Sequence, residues 1–103
     1  MPERFKVLIH PQAHTKFALH VEYLSRVSES AADRLYGAYT DSCVFLNDAP
    51  ESCPLYTLPK NIDAELRYKL FGKRYRIVFE IIGDAVYVYD IQDCRQDSDK
   101  NLV

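Results

Sequence analysis

At 103 residues, with 48% apolar and 27% charged positions, the chain has the size and balance of one globular domain, too small for two cores and too apolar for disorder along its length. A formal net charge of −2 argues against a generic nucleic-acid binder, which is basic overall, and no apolar run approaches the roughly 20 residues a membrane span requires. Cys43, Cys53 and Cys94 are odd in number and form no Cys-x-x-Cys pair, so reduced thiols in a soluble, cytoplasmic protein are expected rather than a disulfide framework or a zinc knuckle.

Phe5-Lys-Val-Leu-Ile9 reads as a short first strand, and the N-terminus leads into it rather than into an apolar signal core. His10-Pro11 opens a helix with proline at its first position, where a missing N–H costs nothing. Ala13, Phe17, Val21 and Leu24, with Ala18 beside them, recur at helical spacing through about Val27. A second helix is expected from Ser28 or Ser30, where serine and glutamate supply a cap, to about Leu46. Its inward residues would be Ala32, Leu35, Tyr36, Tyr39, Cys43 and Leu46, and Asn47-Asp-Ala-Pro50 stops it. Glu51 to Lys60 holds Pro54 and Pro59 and reads as a connecting loop.

From Leu66 the pattern changes to a β-meander. Tyr75–Ile82 and Ala85–Ile91 are rich in β-branched and aromatic residues and are separated only by Gly83-Asp84, a tight hairpin in which glycine accepts a positive φ. The expected architecture is α+β, in the order β-α-α-β-β-β. It comprises an N-terminal strand, an α-helical hairpin and a C-terminal antiparallel meander, with the first strand beside a later one. One domain is expected over residues 1–97, with a short flexible tail over 98–103. There is no internal repeat.

The charges are unevenly placed. Lys60, Arg67, Lys69, Lys73, Arg74 and Arg76 face only Asp63 and Glu65 within the same stretch, giving a local positive field that suits a phosphate or a partner's carboxylates. Strand alternation sends Tyr75, Ile77, Phe79 and Ile81 toward the helices and Arg76, Val78, Glu80 and Ile82 to the other, uncovered face. The hairpin also brings Arg76 toward Arg95, so that the two cations could share one surface.

Plainer roles stand beside these. Arg76 and Arg95 can pair with Glu80, Asp90, Asp93 or Asp97, and Lys73 suits a solvated edge. Tyr87 and Tyr89 read as core or helix-packing residues, and Cys94 as a buried or half-buried structural thiol. His10, His14 and His20 lie in the first helix region, but no cysteine or carboxylate completes a metal-ligand set, so neither metal nor cofactor is expected.

Phe5-Lys-Val-Leu-Ile-His-Pro-Gln-Ala13, the helical hairpin, Gly72-Lys-Arg-Tyr-Arg-Ile-Val-Phe79, Gly83-Asp-Ala-Val-Tyr-Val88 and Cys94-Arg-Gln-Asp97 together resemble the RelE/ParE toxin superfamily, the plasmid stabilisation proteins, over nearly the whole chain. The resemblance implies the toxin of a type II toxin–antitoxin pair, neutralised by a cognate antitoxin. Homodimers or toxin–antitoxin hetero-oligomers are the expected assemblies.

Two branches of that superfamily differ in target. In the ribonuclease branch the toxin enters the ribosome and cleaves mRNA, and Lys69, Arg76 and Arg95 match positions of its basic catalytic groups. That branch commonly has Tyr or His beyond the last arginine, whereas Gln96-Asp97-Ser98-Asp99 follows here, and the acids suit an RNA surface poorly. The Arg-Gln-Asp ending is closer to the ParE branch, which inhibits DNA gyrase, although Asp93-Cys94 stands where many members have His-Gly.

Gyrase poisoning is therefore the expected activity, with mRNA cleavage second. A detoxified homologue that only binds antitoxin is a third reading. Expected contacts with target or antitoxin are Arg67, Lys69, Arg74, Arg76 and Arg95, together with Leu19 and Tyr23 of the first helix, which suit helix-in-groove recognition.

Overall fold

The structure is a computed structural model that describes residues 4–57, 64–95 and 102. Its elements are β1 (Lys6–Ile9), α1 (Pro11–Val27), α2 (Glu29–Asp48), a 3₁₀ turn (Pro50–Ser52), β2 (Arg67–Phe71), β3 (Tyr75–Ile82) and β4 (Ala85–Asp93). The sheet order is β1-β4-β3-β2, with β1 parallel to β4 and the meander antiparallel. The first strand thus joins a later one, as its backbone requires. Of the sequence features above, Lys60, Asp63, Asp97, Asp99 and the tail other than Leu102 lie outside the described residues. No helix among the described residues is long and apolar enough to cross a membrane.

Local chemistry sets the helix ends. Pro11 follows an N-cap histidine whose Nδ1 accepts from the Gln12 N–H at 3.1 Å. Ser28 serves both helices. Its extended backbone ends α1 through an N–H bond to the Leu24 carbonyl, and its hydroxyl caps α2 by accepting from the Ala31 N–H at 3.2 Å. One residue therefore folds the two helices into a hairpin.

That hairpin covers one sheet face, burying Ala13, Phe17, Leu35 and Leu46 against Ile77, Phe79, Val86, Val88 and Ile91. Phe17 stacks on Tyr39 with ring centroids 4.0 Å apart. The inward face of α2 is narrower than expected: Ala32, Leu35, Tyr39, Ser42 and Leu46 follow the 3-4-3-4 spacing of one stripe. Tyr36 lies on its flank and is 60% exposed, while Cys43 is half-buried. Ser42 tolerates burial by donating its hydroxyl to the Ala38 carbonyl at 2.9 Å.

The other sheet face is partly covered, contrary to expectation. Tyr56 and Leu66 are buried on Val78, and the Tyr56 N–H reaches the Leu66 carbonyl at 2.8 Å. Leu55 bridges Arg67 and the Tyr68 N–H bonds to Pro54, so part of the expected loop pairs along the edge of β2. Apolar Tyr56, Leu66 and Val78 have reason to meet, because Val78 would otherwise face water. Tyr87 and Tyr89 also lie on this side rather than against the helices, with the Tyr89 hydroxyl donating to Glu80 at 2.8 Å. Cys94 is exposed, not buried; it follows the last strand residue, where the ladder ends.

Both hairpin turns use glycine with φ near +60°, at Gly72 and Gly83, and Lys73 also has a positive φ. A Cβ on Gly72 would lie 3.0 Å from Leu35 Cδ1, whereas one on Gly83 would meet nothing within 4 Å. Gly83→Ala should therefore cost about 1–2 kcal/mol from backbone strain alone. Gly72→Ala should cost more, because Leu35 must also give way. Urea denaturation of the two variants checks the order, and equal midpoints would contradict the close packing at Gly72.

Candidate functional site

The basic residues expected to cluster are distributed over three settings. On the edge strand, Arg67 donates to the Cys53 carbonyl at 2.6 Å and to Glu65 at 3.2 Å, and Lys69 holds its ammonium 4.8 Å from the centroid of the Phe45 ring. Lys69 pairs with Ile77 and shares the helix-facing side with it, whereas Arg76 pairs with Gln92 on the opposite side. Arg76 donates from Nε to Gln92 Oε1 at 2.5 Å and lies over the Tyr56 ring at 5.1 Å.

Arg74 and Arg95 come together elsewhere. They line a groove of about 770 Å³ with Leu19, His20, Tyr23 and Asp93. Leu19 and Tyr23 are 58% and 71% exposed, so α1 presents an apolar rim to this groove. Tyr75 forms part of the wall, with the Arg74 guanidinium 5.9 Å from its ring centroid. The Cys94 N–H bonds to the Arg74 carbonyl at 2.7 Å, which carries the chain past the end of the ladder and directs Arg95 toward α1.

The expectation that Arg76 and Arg95 share a surface is therefore corrected. The hairpin brings their backbones near one another, but alternation and the groove wall send the side chains to different sides. Arg95 does find the acidic partner expected of it: its backbone N–H donates to Asp93 Oδ1 at 3.0 Å and its guanidinium lies 3.4 Å from the same carboxylate. Arg76 takes an amide rather than Glu80 or Asp90.

Electrostatics differ sharply across the groove. Burial lowers the His20 pKa, offset in part by Asp93, and its buried Nε2 has no hydrogen-bond partner among the described residues. Tyr75 packs edge-on against the same ring at 5.4 Å. Burial acts in the opposite sense on Asp93, but the hydrogen bonds from Arg95 and the charges of Arg95 and His20 outweigh it and leave the carboxyl below its usual range. The groove is thus lined by a neutral imidazole, one arginine matched by a carboxylate, and an arginine packed on a tyrosine.

Several residues here were not singled out from the sequence. From the sequence His20 reads only as a possible metal ligand and Tyr75 only as core, and nothing marks Lys16. Asp90 and Gln92 are the only polar residues of β4 before Asp93, a local signal of burial with partners. Asp90 is completely buried and pairs with Lys16 of α1 at 2.5 Å, and Gln92 is almost completely buried. Among the described residues no group of three His, Cys, Asp or Glu side chains is arranged to hold a metal ion.

A pH dependence follows from His20. Its folded pKa lies below the ordinary value of 6.5, so the unfolded chain takes up that proton at a higher pH than the native protein. Stability contributed by the neutral ring is full above that ordinary value and is lost as pH falls toward the lowered folded value. Asp93, with a lowered folded pKa, withdraws its contribution only at still lower pH. The urea midpoint should fall between about pH 7.5 and about pH 5.5 in the native sequence and fall less in His20→Phe. Parallel pH profiles would show that another group is responsible.

The family model for the ParE toxin of the type II toxin–antitoxin system, parDE, matches residues 7–98. No curated protein sequence matches the chain. The matched span takes in both helices, β1 but for Lys6, the other three described strands, and the groove-lining residues from Lys16 to Arg95. With its strand, helical hairpin and meander in the expected order, the chain belongs to the ParE toxin family, the toxin component of type II toxin–antitoxin systems.

Proposed function

We propose that this ParE-family toxin acts in the cytoplasm by inhibiting DNA gyrase through protein–protein contact. Its cognate antitoxin restrains it by occupying the α1 groove around Leu19 and Tyr23. The observation that carries the choice of target is the dispersal of Lys69, Arg76 and Arg95. Cleaving RNA requires a base, an acid and cations gathered on one phosphate. Lys69 and Arg76 are on opposite faces of the sheet, Lys69 lies over Phe45, and Arg95 is paired with Asp93 beside α1. This arrangement supports separate contacts with a protein surface better than a shared grip on a phosphate.

Arg76 is the proposed target-contacting cation of the sheet face, since it combines a planar guanidinium, partial exposure and an aromatic support. Arg74 and Arg95 belong to the groove side, where an antitoxin bearing carboxylates and an apolar helix face finds both complements. The acids of Gln96-Asp97-Ser98-Asp99 add negative charge beyond Arg95 and weigh further against an RNA surface.

The test is induced expression without antitoxin, with RNA 5′ ends sequenced, together with a supercoiling assay on purified gyrase. Growth should stop with reading frames intact, and supercoiling should be inhibited. Arg76→Ala should raise the half-inhibitory concentration by at least about tenfold, as for an interface arginine that acts as a hot spot. New cuts within reading frames would replace the gyrase reading with mRNA cleavage. A soluble protein that leaves growth untouched would identify a detoxified binder.

A further inference from the structure

Arg76 is held from behind by a buried chain of polar contacts that begins on the other side of the molecule. Its Nε donates to Gln92 Oε1, and Gln92 Nε2 donates to Asp90 Oδ2 at 2.9 Å and to the Tyr56 hydroxyl at 3.1 Å. These partners fix the amide orientation. Turned over, Gln92 would aim N–H groups at the Arg76 N–H and its oxygen at the Asp90 carboxylate, so both ends would repel. The amide is therefore a reporter of where the Asp90 carboxylate stands.

Asp90 is in turn set by the helix side. Lys16, from α1, meets Oδ1 at 2.5 Å, and the Leu102 N–H donates to Oδ2 at 2.6 Å. A buried carboxylate needs a counter-charge and hydrogen bonds, and Lys16 supplies the charge. The contact passes around the edge of the sheet. The last bond of the parallel ladder joins the His10 N–H to the Val88 carbonyl, so β4 beyond Val88 has no β1 residue beside it and α1 fills that flank.

We propose that Lys16, Asp90 and Gln92 are positioning residues for Arg76, forming a relay that links the α1 groove to the opposite sheet face. The relay's importance for toxicity rests on the reading of Arg76 as a target-contacting residue; the linkage itself does not. Lys16 lines the groove as well as binding Asp90. An acidic peptide docked there competes with Asp90 for the ammonium, and loss of that contact lets the Asp90 carboxylate shift, which moves Gln92 with it and loosens Arg76. The two faces are then energetically linked, and the linkage is reciprocal.

The test is ¹⁵N NMR of the arginine Nε–H groups in the full chain, with the Arg76 signal assigned by its disappearance in Arg76→Lys. Lys16→Met keeps the apolar stem, and Asp90→Asn keeps the volume. Each should speed Arg76 Nε–H solvent exchange by at least about tenfold, the scale set by one charged hydrogen bond. Lys16→Arg should restore slow exchange. Glu22→Gln, which breaks an exposed pair with Arg26 on the same helix, serves as the control. An Arg76 signal unmoved by both relay variants, or moved equally by Glu22→Gln, overturns the relay. In growth assays the relay variants should approach Arg76→Ala. If Arg76→Ala remains fully toxic, Arg76 is not the target contact, and the exchange rates alone still decide the relay.

Discussion

One extra residue in β4 organises both faces of this protein. Phe79 pairs with Val88 but its neighbour Val78 pairs with Asp90, leaving Tyr89 without a partner across the ladder. Before the bulge Val86 and Val88 face the helices; after it Ile91 and Asp93 do. A regular strand would continue the first phase and turn Asp90 and Gln92 into a core lined by Phe17 and Ile77. Burying the Gln92 amide unpaired would cost roughly 2–7 kcal/mol and the Asp90 carboxylate more, and Ile91 would be given to water. The slip instead joins Ile91 to the core, sends Asp93 to the groove and sets Gln92 beside Arg76.

What the sequence revealed was local, and what it concealed was cross-strand. Pro11 and Ser28 mark helix starts through their own backbone chemistry, and Gly83 marks a hairpin because few other residues accept its φ. The parity of β3 was readable because its side chains alternate without interruption. A bulge is a relation between two strands and leaves no mark in either pattern alone. The burial of Tyr56 was hidden for a similar reason: its segment has no period, and Val78 lies more than twenty residues away. On α2 the polar Ser42 disguised the inward stripe, since its self-satisfied hydroxyl is invisible to a hydrophobic count.

The apparent basic cluster shows how sequence proximity and electrostatic proximity separate. Arg67 is spent on a backbone carbonyl and Glu65, Lys69 on an aromatic ring, and Arg95 on a carboxylate two residues away. Arg95 is itself largely exposed, so its pair with the buried Asp93 is screened from the Arg95 side and serves chiefly to direct that side chain. Arg76 differs because its buried partner is a neutral amide. An amide between a guanidinium and a carboxylate separates the two charges while satisfying both, which keeps the cation oriented without neutralising it. That combination suits a group meant to meet an external partner.

The geometry that permits this support traces to the shortness of β1. Its ladder with β4 closes at the His10 N–H, and the next donor in phase, the Gln12 N–H, is taken by His10 Nδ1 as α1 begins. Pro11 starts α1, so Lys16 arrives within the next turns of helix, beside the stretch of β4 that β1 leaves open. A longer first strand would have paired with that stretch and shut Lys16 away from Asp90. Helix initiation, strand termination and the route between the two faces are therefore consequences of His10-Pro11. The bulge supplies the other half, because only a β4 that has slipped by one residue offers Asp90 at the vacated edge and Gln92 on the far side at once.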